Sequence, residues 1–216
     1  MSPMLQKQFP NLSAAIAAFQ AGRPVLLLDD DDREDEADII AAAENISLQT
    51  MAMMIRDCSG IVCLCLDEAT VDALQLAPMV QNNQARHGTG FTVTIEAAEG
   101  ITTGVSAHDR ITTIAAALSS TAEQRHIVSP GHVFPLRARN GGVLTRRGHT
   151  EGSVDLARLA GLRPAAVLCE LMNPDGSMAR GEQVAVYARQ YNLPVLTIEE
   201  LAQYREAMVA REAEIA

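Results

Sequence analysis

A short apolar run that ends in a cluster of acids is the feature that most constrains the fold of this 216-residue chain. Val25 to Leu28 has the length and composition of a buried strand, and the ten residues that follow, 29–38, hold eight carboxylates and one arginine. Because like charges crowded at the end of a strand repel one another, a bound cation relieves their repulsion. The junction therefore predicts a divalent-cation site at the edge of a sheet.

A solvated acidic surface is the main alternative for segment 29–38. Acidic tails usually lie in sequence that is poor in apolar residues, whereas this segment lies between two apolar runs. An EF-hand loop that started at Asp29 would need an oxygen ligand at Arg33 and a glycine at Glu34, so that template fails. The remaining hypothesis is an open carboxylate site that suits Mg²⁺ or Mn²⁺, with a guanidinium beside it for a substrate phosphate or carboxylate.

Composition narrows the domain organisation and the kind of ligand. With 48% hydrophobic residues the chain can bury a full core, and no repeat or proline-rich linker divides the sequence, so we expect a single domain over 1–216. The net charge of −10 argues against nucleic acid and anionic membranes as partners, because both bind basic surfaces. Small molecules are the expected ligands.

The cysteines and the N-terminus favour a cytoplasmic protein. The four cysteines are Cys58, Cys63, Cys65 and Cys169. They form no CxxC pair, and two of them alternate on the apolar strand 61–66, which is typical of core thiols rather than of zinc ligands. Residues 1–7 lack the apolar core of a signal peptide, and no segment approaches the roughly twenty apolar residues of a membrane span.

Alternating helical and strand patterns predict a layered fold. Helices are expected over 13–21, 47–56, 111–118, 153–160 and 182–191 and from 199 onward, and strands over 25–29, 61–66, 91–96, 133–136, 143–144, 165–171 and 195–198. The mixed order of these elements favours an α+β domain, layered α/β/α, with a twisted mixed sheet flanked by helices. The polar segment 81–90 is either a mobile lid or an ordinary surface loop.

A basic, glycine-bearing segment before a helical pattern predicts a phosphate site. Its residues are Arg146, Arg147, Gly148, His149 and Thr150. Exposed backbone N–H groups at a helix start attract anions, Arg146 can bind two oxygens, and Thr150 adds a hydroxyl. Such Arg-Arg-Gly turns are also common on surfaces, so the motif alone is weak. A neutral His149 beside the phosphate could complete the coordination of a metal that carboxylates hold.

Two more residues are candidates for proton transfer. Glu170 lies in the apolar run 165–171, where a buried carboxylate marks either a functional acid or a structural salt bridge. His132 is either a general acid or base or a structural histidine, and His108 beside Asp109 is a weaker candidate. With the metal and phosphate sites, these residues predict an enzyme for a small sugar phosphate, acting by enolisation, elimination or carbon–carbon rearrangement.

Six ordered motifs also make the sequence similar to a known family. They are LDDDDREDEAD at 28–38, GIVC at 60–63, GTGFTV at 88–93, TTGVSAHDR at 102–110, GHVFPL at 131–136 and RRGHT at 146–150. In this order they resemble the 3,4-dihydroxy-2-butanone-4-phosphate synthases of riboflavin biosynthesis. The resemblance implies a lyase, dependent on Mg²⁺ or Mn²⁺, that converts D-ribulose 5-phosphate into L-3,4-dihydroxy-2-butanone 4-phosphate and formate. It also implies a homodimer with its active sites at the interface.

The resemblance assigns binding roles by position. It implies that Glu34 and His149 bind the metal and that Glu34 also contacts the substrate. Arg33 and Asp38 would contact the sugar, and the whole segment 146–150 would hold its phosphate.

The resemblance also assigns the proton-transfer roles. His132 and Glu170 fall on the family's essential histidine and glutamate, and Glu170 would contact the substrate as well. The family usually has asparagine at Asp35, glycine at Ala37 and a small residue at Arg147. Ala37 would not tolerate a positive φ, and Arg147 would either supplement its neighbour at the phosphate or compete with it. Many relatives carry a fused GTP cyclohydrolase II domain, and we expect the single-function form here.

Overall fold

The computed structural model describes residues 7–30 and 32–215. Most of the N-terminal segment on which the signal-peptide expectation rests lies outside the described residues, as does Asp31 of the acidic segment. The helices are α1 (Pro10–Gln20), α2 (Leu48–Asp57), α3 (Glu68–Ala73), α4 (Ala107–Ser119), α5 (His149–Leu159), α6 (Glu182–Tyr191) and α7 (Ile198–Ile215). The strands are β1 (Val25–Leu28), β2 (Ala37–Ala42), β3 (Cys63–Leu66), β4 (Ile95–Ala97), β5 (Ile127–Arg137), β6 (Ala165–Glu170) and β7 (Val195–Thr197).

The strands of the described chain form one mixed sheet in the order β4-β5-β3-β6-β2-β1-β7. The pairs β1–β7 and β3–β5 are parallel and the other pairs are antiparallel. Because side chains alternate across a strand, Leu26 and Ile39 pack on one face, under α2, α4 and α6. Leu27 and Ile40 pack on the other, under α1, α5 and α7. The predicted α+β class and its α/β/α layering are confirmed.

Serine side chains cap the starts of two helices. Ser47 Oγ accepts a hydrogen bond from Thr50 N (3.1 Å) at the start of α2, and Ser106 Oγ accepts one from Asp109 N (3.1 Å) at the start of α4. Helix α1 starts earlier than predicted, at Pro10, because proline fits the first turn of a helix, where its missing N–H costs nothing.

Two strand predictions change in the structure. The strand expected at 143–144 is wrong: Gly142–Leu144 is a 3₁₀ turn, because Gly141 and Gly142 take positive φ values of 89° and 64° and lead the chain into α5. The strand expected over 91–96 is confined to Ile95–Ala97, which pairs with β5.

The four cysteines are buried and free, as predicted for core thiols. Cys58 and Cys169 pack on one face of the sheet and Cys63 and Cys65 on the other. Burial raises the pKa of the Cys65 thiol well above its ordinary value, so this thiol stays protonated at neutral pH. None of the described helices combines the length and the hydropathy that crossing a membrane requires.

Candidate active site

The acidic segment forms a tight turn between β1 and β2 that is organised around Asp29. The buried Asp29 carboxylate accepts hydrogen bonds from the backbone N–H groups of Glu34 (3.2 Å) and Glu36 (3.0 Å). Arg33 Nη1 donates to Asp29 Oδ2 (2.7 Å) and to Glu34 Oε2 (2.6 Å). Because these bonds fix the turn, the Glu34 side chain has a defined direction.

Three side chains of this region form a cluster that suits a metal ion. Ligand atoms of Asp29, Glu34 and His149 all lie within 4.8 Å of one another. His149 Nδ1 lies 3.6 Å from Glu34 Oε2 and 3.7 Å from Asp38 Oδ2. His149 Nε2 and Asp38 Oδ1 are buried and have no hydrogen-bond partner among the described residues. Unpartnered buried atoms and a carboxylate–imidazole donor set both fit a divalent cation such as Mg²⁺ or Mn²⁺.

The charges in the cluster depend strongly on one another. Burial lowers the pKa of His149, but the negative charges of the nearby Asp38, Asp29 and Glu34 outweigh it and raise the pKa to about 9. Burial raises the pKa of Glu34, but the charges of the nearby His149 and Arg33 outweigh it and lower the pKa to about 2. A cation that binds here would compete with a proton for His149, because a ligating imidazole is neutral.

The phosphate segment starts α5, and its first arginine is held from three sides. Arg146 Nη1 pairs with the buried Glu151 (2.6 Å), Nη2 donates to Thr89 Oγ1 (3.1 Å), and Nε donates to the His87 carbonyl (3.1 Å). A Cβ at Gly148 would lie 2.2 Å from Arg146 Nη1, so a larger residue there would displace this guanidinium. The end of the 81–90 segment is therefore tied to the phosphate segment.

One cavity of about 160 Å³ joins the acidic turn to the phosphate segment. The predicted residues that line it are Arg33, Glu34, Asp38, Arg146, His149, Thr150 and Glu170. It is also lined by Glu36, Cys63, Thr89 and Phe91, none of which was predicted as a site residue. Each of these four lies in one of the family motifs, so membership of a motif was the available signal.

Glu170 lies at the end of β6, where it faces Asp38 of β2 in the strand pairing. Its Oε2 accepts a hydrogen bond from Ser59 Oγ (2.5 Å), and its backbone carbonyl accepts one from Ser59 N (2.9 Å). The alternative of a structural salt bridge finds no support, because Glu170 forms none with any described residue. The carboxylate is instead held by a neutral hydroxyl and faces the cavity.

His132 and Arg147 lie outside the cavity of their own chain. The His132 side chain on β5 is 48% exposed, and its Nδ1 lies 2.7 Å from Glu96 Oε2. Arg147 Nε lies 3.2 Å from Asp30 Oδ2, and its Nη2 pairs with Glu199 of α7. Both side chains are thus held by acids other than those of the metal cluster.

The departures from the family pattern fit the backbone that the chain adopts. Asp35 takes the left-handed conformation (φ 53°), a region that Asp and Asn tolerate better than most residues. Ala37 is extended in β2 and buried, so its side chain causes no backbone strain.

Comparisons with known proteins agree with this geometry. A family model described as 3,4-dihydroxy-2-butanone 4-phosphate synthase matches residues 13–204. A protein of that name from Pseudomonas putida is 95% identical over 207 residues, which cover 96% of this chain and 96% of that protein. One from Cupriavidus pinatubonensis is 64% identical over 195 residues, 90% of this chain and 87% of that protein.

A solved structure extends the comparison to the fold. It is a 3,4-dihydroxy-2-butanone 4-phosphate synthase in complex with two magnesium ions, with a TM-score of 0.85 at 41% identity over 91% of this chain and 96% of that chain. The similarity in sequence and in fold extends over nearly the whole length of each protein. The chain therefore belongs to the 3,4-dihydroxy-2-butanone 4-phosphate synthase family.

Proposed function

We propose that this chain is a lyase that converts D-ribulose 5-phosphate into L-3,4-dihydroxy-2-butanone 4-phosphate and formate, with Mg²⁺, in riboflavin biosynthesis. The observation that carries the proposal is the single cavity that joins a carboxylate–histidine cluster to Arg146. The cluster selects a divalent cation and the oxygens bound to it, and the guanidinium selects a phosphate. A small molecule that carries both groups is a sugar phosphate.

Glu34 and His149 would hold the Mg²⁺, or Mn²⁺ in its place, with the Asp29 carboxylate in the same cluster. The bound metal would act as a Lewis acid that polarises a carbonyl and its neighbouring hydroxyl. Asp29 also keeps the turn rigid through its bonds to the backbone, so the position of Glu34 is set before substrate arrives.

Arg33 and Asp38 would contact the hydroxyl groups of the sugar, because both line the cavity beside the cluster. The 146–150 segment would bind the phosphate through the guanidinium of Arg146, the hydroxyl of Thr150 and the N–H groups at the start of α5. Arg147 would contribute by joining the acidic turn to α7, since its guanidinium is paired with Asp30 and Glu199.

Glu170 and His132 would move the protons of the reaction. Glu170 faces the cavity with one oxygen held by Ser59, which leaves the other free to accept a proton from the substrate. Because His132 does not line the cavity of its own chain, we infer a homodimer in which His132 reaches the cavity of the partner subunit.

An exposed apolar patch around His132 supports this dimer. Ile61, Val105 and Val128 are 46%, 47% and 47% exposed. Arg110 binds the carbonyl groups of Gly60, Val105 and His132, and Val128 pairs in the sheet with Glu96, the partner of His132, so the patch surrounds His132. An exposed apolar patch beside a polar functional side chain is typical of a protein interface.

We propose a cytoplasmic location and a single domain over residues 1–216. The four free cysteines support the location, because a reducing compartment keeps thiols unpaired. The sheet with a core on each face supports the domain assignment.

A formate assay tests the proposed reaction. Purified protein, ribulose 5-phosphate and Mg²⁺ should release formate, and a chelator should abolish the release. Glu34→Gln should lose it as well, whereas the matched variant Glu99→Gln, which changes an exposed acid, should keep it. Consumption of the sugar phosphate without formate would indicate an isomerase or an aldolase instead. Cation binding without any turnover would indicate a non-catalytic binding module.

A further inference from the structure

His132 is paired with a carboxylate to which the proposed reaction gives no role. Its Nδ1 lies 2.7 Å from Oε2 of Glu96 on β4. An imidazole next to a carboxylate donates its N–H to that carboxylate, so the proton of the neutral ring sits on Nδ1 and the lone pair on Nε2. This arrangement leaves Nε2 as the ring atom that can take up a proton.

The Glu96 carboxylate is buried, and a hydrogen bond holds it in place. It is 8% exposed, and Thr113 Oγ1 of α4 donates to its other oxygen, Oε1, at 3.3 Å. Among the described residues it forms no salt bridge with an arginine or lysine. A buried carboxylate without a cation is costly, and its partner here is the imidazole of His132.

The Glu96 carboxylate also explains why residue 104 of the 102–110 motif is glycine. Gly104 has a φ of 84°, and a Cβ at this position would lie 2.2 Å from Glu96 Oε2. The backbone therefore passes directly over Glu96 and shields it from water. Asp109 holds this loop by accepting from Gly104 N (3.1 Å) and from Thr102 N (3.2 Å).

The charged side chains packed around the His132–Glu96 pair bind other partners. Arg110 on α4 directs its Nε to the Val105 carbonyl (2.9 Å) and its Nη1 to the His132 carbonyl (3.1 Å), so it fixes the backbone of His132. Asp109 is occupied by the 102–104 loop. Glu96 is thus the carboxylate that is available to the His132 ring.

We propose that Glu96 is a positioning residue for the reaction, acting through His132. It holds the ring with the proton on Nδ1, so that Nε2 takes a proton from the substrate in the partner subunit's cavity and later returns it. While Nε2 carries that proton, the positive imidazolium is paired with the negative Glu96, and no net proton is gained or lost over the cycle. The inference rests on the proposed function, because it requires His132 to act on the substrate.

Kinetics of Glu96→Gln test the charge of this pair. The amide has the same shape but no charge, so kcat for formate release should fall by about 10²-fold, within the range that a positioned acid–base group contributes. KM and the Mg²⁺ dependence should stay as in the wild type, because the cavity itself is unchanged. Glu99→Gln is the matched control and should keep kcat. An unchanged kcat in Glu96→Gln would overturn the inference.

Nitrogen-15 NMR of the imidazole rings gives a second readout, one that does not depend on turnover. In the wild type, His132 should carry its proton on Nδ1, and in Glu96→Ala the Nε2–H form should appear. The other histidines, such as the exposed His108, serve as internal references and should not change. Finding His132 as the Nε2–H form in the wild type would refute the proposal even if no Glu96 variant folds.

His132→Asn separates this inference from the proposed function. If His132→Asn keeps full formate release, the role of His132 in the reaction is wrong. If His132→Asn is inactive while Glu96→Gln keeps both kcat and the Nδ1–H form, the role of His132 stands and that of Glu96 fails.

Discussion

At the scale of single residues, the site depends on how each carboxylate is held. The Asp29 carboxylate accepts hydrogen bonds from residues of its own turn. Glu34 lines the cavity and its Oε2 accepts a hydrogen bond from Arg33, while Glu170 Oε2 accepts one from the Ser59 hydroxyl. A carboxylate with one fixed oxygen keeps the other oxygen in a defined direction. Such preorganisation matters because a small misplacement of a reacting group slows catalysis strongly.

Ser59→Ala should therefore lower kcat. The variant removes the hydroxyl that donates to Glu170 Oε2 at 2.5 Å, so Glu170 can turn away from the substrate. A hydrogen bond to a charged group contributes about 1.5–3 kcal/mol, so we expect kcat to fall at least about tenfold. KM should change little, since Ser59 does not line the cavity. Steady-state formate assays measure both constants, and a rise in KM at constant kcat would contradict the prediction.

Asp57 allows a prediction about stability and pH, away from the cavity. Burial raises its pKa, but hydrogen bonds from Arg56 and Tyr187 (each 2.6 Å) outweigh this and lower the pKa below its ordinary value of 3.8. A group with a lowered folded pKa stabilises the protein above the unfolded pKa and loses that effect as the pH falls through the folded pKa.

Tyr187→Phe should remove part of this stability. The lost hydrogen bond to a charged group should cost about 1.5 kcal/mol in the free energy of unfolding at neutral pH. The difference from the wild type should begin to shrink as the pH falls below about 4, where Asp57 of the unfolded chain becomes protonated, and should be lost as the pH falls through the lowered pKa of folded Asp57. Urea unfolding at several pH values measures both effects. A difference that stays constant with pH would show that packing, not Asp57, causes it.

At the scale of elements, local sequence signals predicted single helices better than they predicted how the strands are arranged. Helix α6 occupies the predicted residues 182–191, and α2 begins within one residue of its predicted start, with Ser47 as its cap. Strand β2 was missed as a strand because three of its six residues are alanine, a residue that strands use less than helices do. The two glycines at 141 and 142 turned a predicted strand into the 3₁₀ turn before α5.

The same distinction holds for the site. The acidic turn and the phosphate segment were predicted from residue types, because metal and phosphate chemistry demands those types. That Asp38 lies 3.7 Å from His149 and that Arg147 pairs with Glu199 depend on how distant elements pack. No local pattern carries that information. The position of His132 outside the cavity of its own chain was unpredictable for the same reason.

The two arginines of the phosphate segment should respond differently to substitution. Arg146 lines the cavity, so Arg146→Ala should raise KM for the sugar phosphate by at least about tenfold, in line with the loss of a charge-assisted contact. Arg147 is paired with Asp30 and Glu199 outside the cavity. Because that pair is partly exposed, Arg147→Ala should cost at most about 1 kcal/mol of stability and leave KM within about threefold.

Steady-state kinetics and thermal unfolding of both variants measure these effects. The two substitutions are matched, since each removes one guanidinium from adjacent positions of the same segment. An equal rise in KM for Arg147→Ala would show that Arg147 binds the phosphate beside Arg146, which is one of the two alternatives that the sequence left open.

At the scale of the whole molecule, the groups proposed to act in catalysis lie on two different surfaces. Glu170 and the metal cluster face the cavity, while His132 and Glu96 lie beside the exposed residues Ile61 and Val128. A symmetric dimer uses the same patch on both subunits, so one interface would complete two sites at once. The division explains why a monomer would lack one of the two proton-transfer groups.

Heterodimers of two inactive variants test this division directly. His132→Asn and Glu170→Gln should each be inactive alone, and co-expression with two affinity tags isolates the mixed dimer. If His132 acts on the partner's cavity, one of the two sites of this dimer has neither substitution, so about half of the wild-type formate release should return. A heterodimer of wild type with the double variant is the control and should be inactive, since each of its sites lacks one group. The reverse pattern, an inactive mixed dimer and a half-active control, would mean that both residues act within one subunit.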